Sequence, residues 1–261
     1  MLSNKNKPSF KDFKSVYPRS KLDRNIYKIW RWLFIGKLSL YISWIAARLN
    51  ISPNQITYLS FFLGLIGLYS FSIGGEYNFI FGSIFINLWY LLDCSDGHLA
   101  RYYKIKSNLG KFLDEGFGEI IMTFVWLAIG YGLFNNPDFS MTLLSNYLKF
   151  TGNEYIILIG GIASVSIALR NCISTRFSNC YSMNNSGNKI SDSTNKSSSF
   201  KWFKILWTNF MGIGGLLGPM LLLASITGSL ALLLFVYSIV YFSYMIILLI
   251  YFINKLNKSQ I

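Results

Sequence analysis

The sequence predicts an all-α integral membrane protein in which six transmembrane helices follow an N-terminal interfacial amphipathic helix. The 261-residue chain is 52% hydrophobic and only 13% charged. That leaves too little polar sequence to cover a water-soluble globule around such an apolar interior. Six apolar segments are also long enough to cross the roughly 30 Å hydrocarbon layer of a bilayer. The basic residues gather at the segment ends that a consistent membrane topology would place in the cytoplasm.

The predicted elements follow one another along the chain. Residues 26–49 are apolar but are interrupted by four basic residues, which is unsuited to a span and typical of a helix lying at the membrane interface. Ser52, Pro53 and Asn54 then break the chain and supply a helix cap. The six predicted spans are near residues 55–73, 78–101, 109–134, 154–175, 207–227 and 229–253.

Charge fixes the predicted topology and organisation. Every lysine and arginine except Lys149 falls on one side of these six spans, which predicts cytoplasmic N- and C-termini, and we expect a bacterial inner membrane. We predict a cytoplasmic N-terminal segment with its interfacial helix at residues 1–52, a six-helix domain at residues 53–254 and a cytoplasmic tail at residues 255–261. A flexible cytoplasmic loop is predicted within the domain, at residues 182–199. The net charge of +13 indicates membrane lipids with anionic headgroups and phosphate-bearing substrates as partners, not nucleic acid, because no polar segment interleaves basic and aromatic residues.

The acidic residues predict a site. Five of the eleven lie between Asp93 and Glu119, and ionisable groups at membrane depth usually mark an ion, proton or substrate site. Helical spacing puts Asp93 and Asp96 on one stripe of the second span together with Gly97 and Ala100, and puts Gly110 and Asp114 on one face of the third. The small residues allow close approach of the two helices, which would bring three carboxylates together.

Three convergent carboxylates require a hard divalent cation, since without one they repel each other. Arg101 lies about one turn beyond the stripe, and its planar guanidinium suits a bidentate phosphate contact. Ser107 adds a donor at the same cytoplasmic edge. This combination of cation and guanidinium is typical of phosphoryl transfer. Two alternatives stay open: carboxylates that merely pair with Arg101 at a helix boundary, and an ion or proton pathway.

The string from Asp93 to Asp114, DCSDGHLARYYKIKSNLGKFLD, resembles the signature of the CDP-alcohol phosphatidyltransferases, D-x2-D-G-x2-A-R-x8-G-x3-D-x3-D. Seven fixed positions hold their identities and spacings: Asp93, Asp96, Gly97, Ala100, Arg101, Gly110 and Asp114. A P-N-x-x-T step at Pro53, Asn54 and Thr57 extends the resemblance towards the N-terminus.

The resemblance implies a six-helix bundle, often a homodimer, with a polar cavity open to the cytoplasm. Its implied ligands are a CDP-linked alcohol or CDP-diacylglycerol donor, an alcohol acceptor and one or two Mg²⁺ ions (or Mn²⁺). By the same carry-over, Asp93, Asp96 and Asp114 would hold metal. The residues implied to bind substrate are Asn54, Thr57, Gly97, Ala100, Arg101, Ser107 and Gly110. In the family the acceptor hydroxyl attacks the phosphorus beside the alcohol, and CMP leaves.

Two further basic residues, Arg170 and Arg176 at the cytoplasmic end of the fourth span, resemble those that family members acting on phosphorylated alcohols place near the acceptor. Their interpretation as topology anchors is the favoured one.

The chain departs from the signature at its last position, where Gly118 replaces the aspartate. In the family that aspartate meets metal and is the proposed general base, so this chain lacks a ligand and a proton acceptor there. Glu115 and Glu119 flank the position and are candidate substitutes. The other hypotheses are a base supplied by water or substrate phosphate, and a weak or inactive homologue that binds donor or has a structural role in the membrane.

Overall fold

The computed structural model describes residues 8–15, 28–136, 154–184 and 198–258, and over these ranges its regular structure is all helical. The chain enters the main bundle through a π-helical turn at Arg31–Ile35, and a second π-helical turn at Ile213–Leu217 interrupts it near the C-terminus. The α-helices are α1 Phe10–Ser15, α2 Gly36–Arg48, α3 Pro53–Ile73, α4 Glu76–Tyr102, α5 Asn108–Asn135, α6 Glu154–Asn184, α7 Ser198–Met211, α8 Gly218–Ile226 and α9 Leu230–Lys258.

Several of these helices are long and apolar enough to cross a membrane. In the part of the chain that the structure describes there are four, namely Pro53–Ile73, Asn108–Asn135, Tyr155–Tyr181 and Leu230–Asn257. The bent pair Ile205–Met211 and Ile213–Ile226 makes a fifth if it counts as one span. These segments indicate a multi-pass integral membrane protein. Lys149 and most of the predicted loop 182–199 lie outside the described residues.

Helix α4 occupies the predicted second span but is not among these apolar spans, although its 27 residues would reach about 40 Å. Its polar residues, among them Asn87, Asp93 and Asp96, lower its hydropathy, and they face protein neighbours. That α4 is the second of six membrane spans therefore stays a prediction. The same polar residues make α4 the helix around which the site is built.

The predicted fifth span is not one straight helix. Its two halves, α7 and α8, meet at an angle of 63° beside Gly212. The backbone of Gly215 is non-helical, and a Cβ there would collide with the backbone of Asn209. A Cβ on Gly214 would collide with the Tyr90 hydroxyl. The glycines thus let the broken helix pack closely against itself and against α4.

Helix α3 begins where the sequence predicts. The Ser52 hydroxyl accepts a hydrogen bond from the Gln55 amide at 3.3 Å, and the Gln55 side chain accepts one from the Ser52 amide at 2.8 Å. This capping box, with Pro53 in the first turn, confirms the predicted cap. A Cβ at Gly64 would lie 2.7 Å from Ile121 of α5, and one at Gly67 would lie 3.1 Å from Ile86 of α4. Glycine therefore sets the close spacing of the three helices that carry the site.

Helix α2 packs on the side of α4 through small polar residues. Ser43, which is fully buried, donates a hydrogen bond to the carbonyl of Ser95 at 2.8 Å. The outward face of α2 is apolar, with Leu38, Tyr41 and Ile45 each about half exposed. Such a face suits lipid contact. The interfacial placement of this helix remains a prediction.

A pair of adjacent glycines on α6 allows a matched test of the packing. A Cβ at Gly160 would lie 2.7 Å from the Trp126 carbonyl oxygen, whereas one at Gly161 would meet nothing within 4 Å. We expect Gly160→Ala to destabilise the protein by about 1–3 kcal/mol, because the α5–α6 crossing must open. Gly161→Ala should be neutral or stabilising by up to about 1 kcal/mol. Thermal unfolding in detergent measures both, and equal midpoints for the two variants would contradict this packing.

Candidate functional site

A cavity of about 400 Å³ opens where α3, the end of α4 and the start of α5 meet. Most of the residues implied to bind substrate line it, together with two of the three aspartates. Its wall includes Asn54, Thr57, Asp96, Gly97, Ala100, Ser107, Gly110 and Asp114. The start of α3 thus meets the connection between α4 and α5, more than 35 residues further along the chain, in one polar pocket.

The carboxylates differ in their surroundings. Asp96 is only 5% exposed, and the Thr57 hydroxyl donates a 2.6 Å hydrogen bond to its Oδ2. Asp114 is exposed at the cavity. Asp93, one turn earlier on α4, does not line the cavity, but its carboxyl is close enough to that of Asp114 to interact with it directly. The convergence of all three carboxylates on one cation stays a prediction.

Arg101 folds back along its own helix. Its Nη2 lies 3.0 Å from Nδ1 of His98, and a Cβ at Gly97 would stand only 3.4 Å from its Nη1. Gly97 thus leaves room for the guanidinium beside the cavity wall. The charge of Arg101 acts on both Asp96 and Asp114. His98, only 3% exposed, orients the arginine.

The N-terminus of α5 forms the polar end of the cavity. Ser107 caps the helix by accepting a 3.2 Å hydrogen bond from the Gly110 amide. Lys106, Asn108 and Lys111 also line the cavity. Backbone amides at a helix N-terminus and nearby ammonium groups suit a phosphate-bearing ligand. A Cβ at Gly110 would approach Asn54 Oδ1 at 3.2 Å, so glycine keeps this end of the cavity open.

Besides Asp93 and Arg101, four predicted residues lie outside the cavity wall. Glu115 is exposed and forms an ion pair with Lys111 at 3.8 Å, and Glu119 is exposed. Arg170 donates hydrogen bonds to the neighbouring Asn171 side chain at 2.6 and 3.1 Å, and Arg176 is exposed. Glu115 is close enough to Asp114 for its charge to act on that carboxyl, although its side chain does not line the cavity.

The position of the missing aspartate is open. A Cβ at Gly118 would meet nothing within 4 Å, and the same holds for Gly116. An aspartate at residue 118 would therefore fit without a clash, so crowding does not explain the glycine.

The chemistry of the three aspartates fits a hard divalent cation, since carboxylate oxygens are the ligands that Mg²⁺ prefers. Asp96 is buried, and the Thr57 hydroxyl orients it as a supporting residue orients a metal ligand. Within residues 8–15, 28–136, 154–184 and 198–258, no group of three or more His, Cys, Asp or Glu side chains is arranged as a metal site. Metal binding therefore rests on the donor chemistry, and Asp93, Asp96 and Asp114 are the residues that would supply it.

Two basic residues near the acidic cluster were not predicted as site residues. Arg31 lies close enough to Asp93 and Asp114 for its charge to act on both, and Lys28 acts on Asp93. In the sequence they look like ordinary interfacial charges, and more than sixty residues separate them from Asp93. Only the docking of the N-terminal segment against α4 reveals their position.

Comparison with known proteins finds a family model and two relatives that match part of this chain. Residues 50–176, which include α3, α4, α5 and most of α6, match the family model described as CDP-alcohol phosphatidyltransferase. Over 126 residues the chain is 31% identical to the archaetidylinositol phosphate synthase of Pyrococcus horikoshii, covering 48% of this chain and 65% of that protein. Over 98 residues it is 35% identical to an uncharacterised protein of Aquifex aeolicus, covering 38% of this chain and 48% of that protein. The matched segments span less than two thirds of either relative.

The hydrogen bond between Thr57 and Asp96 gives a test of the cluster as a cation site. We expect Thr57→Val, which keeps the shape but removes the hydroxyl, to weaken Mn²⁺ binding by about 10- to 100-fold. Thr57→Ser should bind Mn²⁺ nearly as the unmodified protein does. Electron paramagnetic resonance of free Mn²⁺ measures both affinities. Unchanged binding in the valine variant would contradict a role for Asp96 in holding the cation.

Proposed function

Because residues 50–176 of this chain belong to the CDP-alcohol phosphatidyltransferase family, we propose that the protein transfers a phospho-alcohol or phosphatidyl group from a CDP-linked donor to an alcohol acceptor and releases CMP. The reaction would serve the synthesis of phospholipids or of related glycolipids and surface polymers. The match to an archaetidylinositol phosphate synthase favours a lipid-type product. The matches do not support the alternative of a silent homologue.

One observation carries the proposal: a single cavity gathers five of the seven signature residues from two helices, together with the Asn54 and Thr57 step from a third. Asp96, Gly97 and Ala100 come from α4, Gly110 and Asp114 from α5, and the Asn54 and Thr57 step from α3. This arrangement supports donor binding more directly than it supports catalysis.

The roles of the donor-binding residues follow from their positions. Gly97, Ala100 and Gly110 have no bulky side chains, so the donor can approach the helix backbones. Ser107 and the amides at the start of α5 face the cavity end where phosphates would lie. Arg101, held by His98, adds a fixed positive charge for the pyrophosphate. Asn54 borders the cavity from α3.

A divalent cation, Mg²⁺ or Mn²⁺, would be held by Asp93, Asp96 and Asp114. When bound it would polarise the phosphate oxygens and neutralise the charge that develops during transfer. The protein's own part is to hold three carboxylates close together in a largely apolar setting. Thr57 fixes the orientation of one of them.

The acceptor side of the site is less complete. Arg170 and Arg176 remain predicted contacts for a phosphorylated acceptor, and Glu115 and Glu119 remain the candidate proton acceptors. Glu115 would have to leave its ion pair with Lys111 to take a proton in the cavity. A homodimer and cytoplasmic termini, which the resemblance and the charge pattern predict, stay part of the proposal.

The direct test is CMP release by purified protein. We expect release with Mg²⁺ when CDP-diacylglycerol and small CDP-alcohols are screened against phosphorylated and unphosphorylated alcohols. Asp96→Asn should reduce the rate by at least about 10²-fold, because the cation loses a buried ligand. Absence of CMP release with every donor and acceptor pair, together with absence of donor binding, would refute the proposal.

The missing base gives a second test. We expect Gly118→Asp to raise turnover about 10-fold or more, because it restores a carboxylate one turn after Asp114 where there is space. Gly116→Asp is the matched control: that site is equally open but lies about 200° around the helix.

If turnover instead depends on a relocated base, Glu115→Gln or Glu119→Gln will abolish it, and Gly118→Asp will add little. The hypothesis of a carboxylate base on α5 is wrong if none of these three changes, at residues 115, 118 and 119, alters turnover.

A further inference from the structure

The segment from Lys28 to Arg31 is fixed in place by two buried amide side chains. The Ile29 amide donates a 2.7 Å hydrogen bond to Oδ1 of Asn209, and the Trp30 indole donates a 3.0 Å hydrogen bond to Oδ1 of Asn87. Asn209 is 2% exposed and Asn87 is 9% exposed. The segment is therefore clamped between α4 and the broken helix formed by α7 and α8.

This clamp brings two positive charges to the acidic cluster. Lys28 and Arg31 are three residues apart and so share a face of the helical segment. Arg31 acts electrostatically on Asp93 and Asp114, while Arg101 acts on Asp96 and Asp114. Two guanidinium groups from different parts of the chain thus act on the same carboxyl, that of Asp114. The Lys28–Arg31 segment does not contribute to the wall of the cavity described above.

The two cations are close to each other in a confined place. Lys28 packs near Gly214 of the broken helix, where an added Cβ would lie 3.2 Å from its Cδ. Burial, followed by the positive charge of Arg31, lowers the pKa of Lys28 below its usual value. Neighbouring cations of this kind are stabilised by an anion between them.

We propose that Arg31 and Lys28 bind the phosphate that is transferred, on the side of the acidic cluster away from the cytidine. This inference rests on the proposed function, in which the phosphates of the donor lie at the acidic cluster that Arg31 and Lys28 border. In the reaction the acceptor oxygen bonds to this phosphorus, and the bond from the phosphorus to the bridging oxygen breaks. CMP leaves with the electron pair, and the acceptor proton passes to the base. Arg31 and Lys28 stay protonated and neutralise the phosphate oxygens.

The proposal is tested by comparing CDP with CMP, because CDP carries the phosphate in question and CMP lacks it. In the presence of Mg²⁺ we expect the unmodified protein to bind CDP more tightly than CMP. Arg31→Gln should weaken CDP binding by about 10- to 100-fold, the range for one lost contact to a charged group, and should leave CMP binding unchanged. Calorimetric titration measures the four affinities. Arg31→Lys should recover part of the loss.

Arg48→Gln is the matched control. Arg48 ends α2, is exposed and stacks over Trp44 at 4.9 Å, so its replacement should alter neither affinity. Lys28→Gln, tested in parallel in case Arg31→Gln does not fold, should also lower CDP affinity selectively.

The inference is wrong if the Arg31 and Lys28 variants weaken CDP and CMP equally, as a purely structural role predicts, or weaken neither. A separate result, an unmodified protein that binds neither nucleotide, would refute the proposed function itself.

Discussion

Like-charge repulsion among Asp93, Asp96 and Asp114 is the interaction on which the architecture of the site depends. Ionisable groups within membrane-spanning structure are costly, and three carboxylates on two adjacent helices are costlier still unless cations accompany them. The chain supplies Arg101 from the end of α4 and Arg31 from the N-terminal segment. A divalent cation would complete the neutralisation. Ligand binding at the cluster would thus relieve the repulsion between carboxylates that the fold brings together.

Close helix packing makes that gathering of charge geometrically achievable. Gly64 and Gly67 let α3 lie against both α5 and α4, and the Thr57 hydroxyl on the same helix reaches Asp96. In a bilayer, where apolar side chains gain little by leaving lipid, such close contacts and buried hydrogen bonds provide much of the association energy between helices. Helix α4, which holds Asp93 and Asp96, is long but is not among the apolar spans, because it carries polar residues that face protein neighbours.

Much of the fold and of the donor site could be predicted from sequence because the signals are local. The Ser52 cap, the helical spacing of Asp93 and Asp96, and the small residues at positions 97, 100 and 110 all act within one or two helical turns. The positions of Arg31 and Lys28 could not be predicted, because they depend on Asn87 and Asn209 fixing a distant segment. The 63° break at Gly212 could not be predicted either, because an apolar run rich in glycine is equally compatible with one straight span. The exposure of Glu115 depends on its pairing with Lys111, which sequence spacing allows but does not require.

We propose that the aspartate cluster binds a divalent cation and the diphosphate of a CDP-linked donor together. The most direct test is the affinity of the purified protein for CDP as a function of Mg²⁺ concentration, compared with Asp114→Asn. We expect saturating Mg²⁺ to tighten CDP binding by at least about 10-fold, a coupling of roughly 1.4 kcal/mol, and Asp114→Asn to remove this dependence. CDP binding of equal strength in EDTA and in saturating Mg²⁺ would contradict it.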